Sequence, residues 1–191
     1  LFIASIMALI HSFIPALFEK SASNKIIKLY NYLKKRKGLK MKIKVAATQM
    51  SCTWKIEDNI SKAKDLIDKA AKKGANIILL QELFQSPYFC IEYDEKIFKI
   101  AQTFENNKIL NEMSEIARKL NVVLPISFFE KENNAYFNSI AVIDANGDIM
   151  GKYRKSHIPD GPGYLEKYYF NPGNTGFKVW NTKFGKIGIG I

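Results

Sequence analysis

Three charged residues stand where apolar runs give way to loops, and their types could do chemistry together. Glu82 stands at the end of the run "NIILLQEL" (76–83), just before the aromatic, proline-broken "FQSPYF". Lys155 closes "DIMGKYRK" ahead of "SHIPDGPG", and Glu166 lies in "YLEKYYF" within the same long loop. A carboxylate at the mouth of a core costs several kcal/mol unless it is paired or used, so Glu82 needs a reason. A working acid is one reason, and an ammonium at Lys155 could stabilise an oxyanion. Each residue also has a plainer reading. Glu82 could cap the following turn or pair with a lysine, Lys155 could be a solvated strand end beside Lys152 and Arg154, and Glu166 could be an ordinary loop acid. Taken singly, the three leave both readings open.

Other chemistries find less support. His11, His157, Cys52 and Cys90 have no metal-ligand spacing, so no metal site is expected. The glycines of "DGPG" and "NPGNTG" are punctuated by proline as turns are, and no glycine-rich phosphate loop follows a strand. The two cysteines have no reason to pair, which predicts a reducing, cytoplasmic setting. His157 has no Ser/Asp arrangement beside it and is expected to orient the Lys155 loop rather than to act as a base.

The elements that must position these groups follow from periodicity. "KIKVAATQM" (42–50) predicts a strand. The helix that follows carries Ile60, Ala63, Ile67, Ala70 and Ala71 on one face, with Gly74 as its stop. "NIILLQEL" is then a continuous apolar run of the kind a parallel sheet buried on both faces requires, so residues 42–83 form a βαβ unit. A second helix over 108–121 presents Ile109, Met113, Ile116, Ala117 and Leu120 and leads into the strand "VVLPISFFE" (122–130). From there the pattern is strands alone: a hairpin over 135–157 turning at Asn146-Gly147, and another over 177–191 turning near Asn181 to Gly185. The loop 158–176, with Pro159, Pro162 and Pro172, is too long to be a mere connector and is expected to carry function. The fold class is α/β, and in an open α/β sheet ligands bind beyond the carboxyl ends of the strands, where Glu82 stands.

Length and charge bound the partners. The chain has 191 residues, 47% of them hydrophobic, and a formal charge of +11, enough for one real core with an appendage. Residues 1–40 hold eight Lys/Arg and one acid, hence +7; the remaining 21 Lys/Arg and 17 acids of residues 41–191 leave +4. The larger part has no basic block long enough to track phosphates, so no nucleic-acid partner is expected. Residues 1–40 are unlike the rest: the 18-residue apolar stretch "LFIASIMALIHSFIPALF" precedes the basic "KIIKLYNYLKKRKGLK", an apolar/basic helical extension. Two readings stay open, a membrane-associated tail and an upstream-derived extension of the reading frame. The segment resembles the C-terminal tail of a small uncharacterised bacterial membrane-associated family.

From about Met41 onward, "KVAATQM", "GANIILLQELF", "GKYRKSHIPDGPGYLEKYYFNPGNTGFKVW" and "FGKIGIGI" closely resemble the nitrilase superfamily of carbon–nitrogen hydrolases, in its N-carbamoylputrescine amidase branch. The resemblance implies the first half of a nitrilase-type α-β-β-α sandwich over 41–191, truncated at its C-terminus. It implies that Glu82 is the general base, Lys155 the cation facing a tetrahedral oxyanion, and Glu166 a second acid that holds the substrate amide. The nucleophile it implies is a cysteine after the strand matching "KIGIGI", one residue past Ile191; neither Cys52 nor Cys90 stands at a matching position. The implied reaction takes a small carbamoyl substrate, N-carbamoylputrescine, to putrescine, carbon dioxide and ammonia for polyamine synthesis, with no metal or organic cofactor. The full-length enzyme is expected to be a homo-oligomer, and the 191-residue chain to be inactive. The alternatives are a ureido hydrolase acting on a carbamoyl amino acid, and an inactive membrane-tethered half-domain.

Overall fold

The structure, a computed structural model, describes residue 24, residues 26–32 and residues 42–191. The chain divides into two units, Leu1–Lys42 and Ile43–Ile191. In the first, residues 24 and 26–32 are helical and exposed. The apolar stretch 1–18, with its expected membrane contact, lies outside the described residues. Among the described residues no helix is long and apolar enough to cross a membrane.

The second unit is built around a two-stranded and a three-stranded sheet that a single bridge joins edge to edge. β1 (Val45–Ala47) pairs in parallel with β2 (Ile77–Leu79), with Val45 opposite Ile77. The connection is α1 (Ile56–Lys72), which ends before Gly74 at φ +82°. Val123 then bridges Ile77 in parallel, through Ile78 N–H to Val123 O at 3.0 Å and Val123 N–H to Asn76 O at 2.8 Å. β3 (Leu124–Glu132), β4 (Ala135–Ile143) and β5 (Ile149–Arg154) continue as an antiparallel meander. The spatial order is therefore β1-β2-β3-β4-β5. β6 (Val179–Thr182) and β7 (Gly185–Gly188) form a separate hairpin, whose Trp180 packs with Val142 and Tyr153.

Helices α1 and α2 (Lys108–Leu120) bury the stripes expected of them against this sheet. Ala63 and Ile67 from α1, and Ile109, Leu110, Met113 and Ala117 from α2, meet Ile78, Leu80, Leu124, Ile126, Phe128, Ala141 and Ile143 in one apolar core. α2 is started by Asn107, whose buried Oδ1 accepts from the Ile109 and Leu110 N–H groups at 3.0 and 3.1 Å. Loss of such a cap costs about 1 kcal/mol, so Asn107→Ala is expected to lower the urea midpoint accordingly without changing the slope of the transition. An unchanged midpoint would show that solvent satisfies the first turn equally well.

The expectation that β2 is buried on both faces needs correction. Alternation places Ile78 beneath the helices, but Leu79 is 42% and Val45 64% exposed. On that face Val45, Leu79, Pro125, Ile140, Ile187 and Ile191, with Glu82 among them, line a groove of about 420 Å³. The apolar run supplied residues for both faces, and only one is packed among the described residues.

A second core, of Leu83, Phe89, Ile97, Phe129, Ile158, Tyr169 and Phe170, ties the long loops down. Phe89 meets Tyr169 edge-on at 5.0 Å and Phe129 at 5.3 Å. Tyr169 Oη donates to Glu92 O at 2.7 Å and accepts from Asp94 N–H at 2.9 Å. These contacts order both the segment after β2 and the segment after β5, which carry the charged residues singled out above.

Candidate active site

Each of the three residues stands just past or at the start of an element. β2 ends at Leu79, and Glu82 enters a turn three residues on. The next residue, Leu83, holds φ +50°, a left-handed conformation uncommon for a bulky side chain. The Ser127 hydroxyl of β3 accepts its N–H at 2.9 Å, and the buried Leu83 side chain anchors the turn in the second core. Lys155 follows β5 directly. Its N–H donates to Asn138 O and its carbonyl accepts from Gly173 N–H, both at 2.8 Å. Glu166 opens the single turn α3 (Glu166–Tyr169), after Leu165 has donated its N–H to Cys90 O at 2.6 Å.

The side chains converge. Lys155 Nζ donates to Glu166 Oε2 at 2.7 Å and Oε1 at 3.1 Å, and to Glu82 Oε1 at 3.3 Å. Asn138 Nδ2 donates to the same Glu82 oxygen at 2.5 Å, and Tyr88 Oη donates to Glu166 Oε1 at 2.9 Å. Burial works against the Lys155 ammonium, but the Glu166 hydrogen bond and the two carboxylate charges outweigh it and raise its pKa above the ordinary lysine value. Lys155 therefore stays a cation at neutral pH although it is only 8% exposed. This is an ammonium fixed between two acids, Glu166 at 2.7 Å and Glu82 at 3.3 Å.

Cys90 lies beside this group as a buried thiol. Burial, followed by the Glu166 charge, pushes its pKa up to about 12, with Tyr88 and Lys155 opposing only in part. At neutral pH it is a thiol rather than the thiolate that attacks carbon.

The plainer reading of Lys155 as a solvated strand end beside Lys152 and Arg154 does not hold, since Arg154 is buried and Lys152 is largely covered. Glu130 on β3 is fully buried and accepts from Arg154 Nη2 at 2.7 Å, Arg154 Nε at 2.9 Å, Ser139 Oγ at 2.5 Å and Lys152 Nζ. Arg154 also reaches Asn174 Oδ1 at 2.8 Å, and its guanidinium lies 3.8 Å from the centre of the Phe137 ring. Its main chain presses on the next loop so closely that a Cβ at Gly173 would lie 2.2 Å from Arg154 O. Arg154 thus locks loop 171–176, while the next residue along, Lys155, turns to the acids.

The structure brings Glu82 and Lys155 together, as their positions at strand ends suggest, and adds Glu166 from the long loop, with one inversion. The Glu82 side chain is 39% exposed, and the withdrawn acid is Glu166. Glu82 comes three residues after its strand and meets the open groove, whereas Glu166 sits under Tyr88 and Lys155. His157 is exposed and makes no side-chain hydrogen bond among the described residues; the loop is oriented by Gly173 and by the Tyr153–Ser156 hydroxyl contact at 3.1 Å. Sequence reasoning missed Asn138, Tyr88 and Ser127. Asn138-Ser139 was the available signal for the first, a polar pair inside the otherwise apolar "AYFNSIAVI".

The carbon-nitrogen hydrolase family matches residues 44–191, and a family of unknown function, DUF6356, matches residues 1–36. N-carbamoylputrescine amidase of Arabidopsis thaliana is 52% identical over 154 residues, covering 81% of this chain and 52% of the relative. Citrullinase of Francisella tularensis is 52% identical over 149 residues, covering 78% and 52%. The crystal structure of a carbon-nitrogen hydrolase from Helicobacter pylori G27 superposes with a TM-score of 0.71 at 38% identity, covering 76% of this chain and 50% of that one. The chain thus spans about half the length of the curated relatives it matches.

Proposed function

The chain belongs to the carbon–nitrogen hydrolase family, and we propose that the protein, completed to the length of its relatives, hydrolyses the ureido group of N-carbamoylputrescine, releasing ammonia, carbon dioxide and putrescine. The observation that carries this reading is Lys155, an ammonium buried between Glu166 at 2.7 Å and Glu82 at 3.3 Å. Glu82 takes the proton of a cysteine thiol as the sulfur–carbon bond forms. The nucleophile in this proposal is a cysteine following the β7 strand rather than Cys52 or Cys90. Lys155 faces the tetrahedral oxygen, and Glu166 holds Lys155 and receives the substrate amide. Ammonia departs with the proton that Glu82 returns. Glu82 then activates a water against the resulting S-thiocarbamate, and the carbamic acid released loses carbon dioxide to leave the amine.

Two carboxylates around one ammonium leave the site with excess negative charge, which suits a substrate whose far end is itself an ammonium. The two free cysteines support work in a reducing compartment such as the cytoplasm. A second reading has one observation in its favour: the relative named citrullinase shares the same 52% identity as the Arabidopsis amidase, which points to a ureido amino acid.

The experiment is ammonia release by the protein completed to the length of its relatives, offered N-carbamoylputrescine, citrulline and N-carbamoyl-β-alanine. N-carbamoylputrescine is expected to give the highest kcat/KM. A preference for citrulline would transfer the assignment to the second reading, and no release from any ureido compound would remove both.

A further inference from the structure

Glu82 presents two unlike oxygens. Oε1 accepts from Asn138 Nδ2 at 2.5 Å and Lys155 Nζ at 3.3 Å, whereas Oε2 is hydrogen-bonded to no donor among the described residues. Asn138 is wholly buried on β4, and its Oδ1 has no hydrogen-bond partner among the described residues. The orientation of the amide follows from chemistry: a carboxylate oxygen only accepts, so the nitrogen must face it. The main-chain carbonyl of the same residue receives the Lys155 N–H at 2.8 Å. One residue therefore touches both charged groups, the carboxylate through its side chain and the lysine through its backbone. A strand position wanted only for packing would be filled by an apolar residue, as Ile140 to Ile143 are on the same strand, without burying an acceptor that no described residue satisfies.

We propose that Asn138 is the positioning residue of the candidate base. It occupies Oε1 together with Lys155, fixes the plane of the carboxylate, and leaves Oε2 as the oxygen that handles the proton. The inference rests on the reading of Glu82 given above. In that reading an Oε2 lone pair takes the thiol proton as the sulfur–carbon bond forms and hands it to the nitrogen as the carbon–nitrogen bond breaks, so that the carboxylate is regenerated. Lys155 cannot fix the plane alone, because its shorter contacts are to Glu166. A neutral donor also does the work without adding a second cation that would compete with Lys155 for Glu166.

The test uses Asn138→Leu, close in shape and lacking the donor, and Asn138→Asp, which keeps the shape and replaces the donor by an acceptor. In the protein completed to the length of its relatives, both are expected to lose about 100-fold in kcat, the scale of a misplaced base, with KM changed by less than about threefold. A packing role would instead be tolerated in one of the two shapes, or would raise KM along with lowering kcat. A crystal structure of Asn138→Leu is expected to show Glu82 swung out of hydrogen-bond distance of Lys155 while the Lys155–Glu166 contact stays. If Asn138→Leu does not fold, the same measurements on Asn138→Asp decide. Wild-type kcat in either variant, or an unmoved Glu82 in the crystal, overturns the proposal. A wild-type protein inert towards every ureido substrate, combined with a displaced Glu82 in the variant, would overturn the proposed function and uphold the positioning.

Discussion

Lys155→Ala, made in the protein completed to the length of its relatives, is expected to lower kcat by about 100- to 1,000-fold, the usual consequence of removing one oxyanion donor, while KM changes little. Interactions realised only in the transition state appear in the rate and not in ground-state binding. The geometry sharpens the expectation for Lys155→Arg, which should also fail. The ammonium fits between Glu166 at 2.7 Å and Glu82 at 3.3 Å, and Glu166 is held in turn by the Tyr88 hydroxyl at 2.9 Å. A planar guanidinium with donors in a fixed fork cannot reproduce a compact point charge there. Lys152→Ala is the control on the same strand: Lys152 joins the Glu130 pair and lies 4.8 Å from the Phe104 ring centre, so it should affect stability more than turnover. Single-turnover kinetics on the four proteins decides. If Lys155→Ala raises only KM, or if Lys152→Ala is as damaging to the rate, Lys155 is a binding charge.

Glu130→Ala should produce the largest loss of stability. Removing one partner of a buried ion pair costs about 3–5 kcal/mol, because the other charge stays behind without compensation. Arg154 would keep Asn174 and a contact to Glu132, so a value near the lower end, about 3 kcal/mol, is expected. The pH dependence has a definite sign. Burial alone would raise the Glu130 pKa, but the hydrogen bonds from Arg154, Lys152 and Ser139 outweigh it and hold the carboxyl below its ordinary value of 4.5. A group depressed on folding binds more protons when unfolded, so its contribution is complete above about pH 4.5 and is lost as pH falls through the lower, folded value. Urea unfolding of wild type and Glu130→Gln between neutral pH and acid should therefore show the difference shrinking on acidification. A constant difference would mean that Glu130 acts through shape alone.

The parts of this fold that sequence makes legible are those governed by local periodicity. Ala63 and Ile67 on α1, and Met113 and Ala117 on α2, recur at helical spacing and are buried as that spacing requires. Glu82 and Lys155 stand out because each closes an apolar or strand-like run, and Glu166 because it lies in a loop too long to be a mere connector. What stays hidden depends on contacts across the sheet. Glu130 and Arg154 are 24 residues apart and meet only because β4 separates and aligns their strands. Nothing local distinguishes Glu130 from Glu132, although one is fully buried and the other about half exposed. The 3₁₀ helix Glu95–Ile100 and the one-turn α3 escape because two or three side chains cannot establish a period.

The open groove on the uncovered sheet face has a dielectric consequence. Glu82 lines it beside Leu79, Leu80, Ile187 and Ile191, so the same carboxylate belongs to a charged cluster on one side and to an apolar wall on the other. While water fills the groove, the attraction between Lys155 and Glu82 is screened; at 4 Å, two unit charges interact by about 1 kcal/mol in bulk water and about 4 kcal/mol at an effective dielectric constant near 20. Drying the groove would strengthen that attraction severalfold without moving an atom. The force between the two groups is thus set by the polarisability of whatever occupies the space beside them as well as by the distance that separates them.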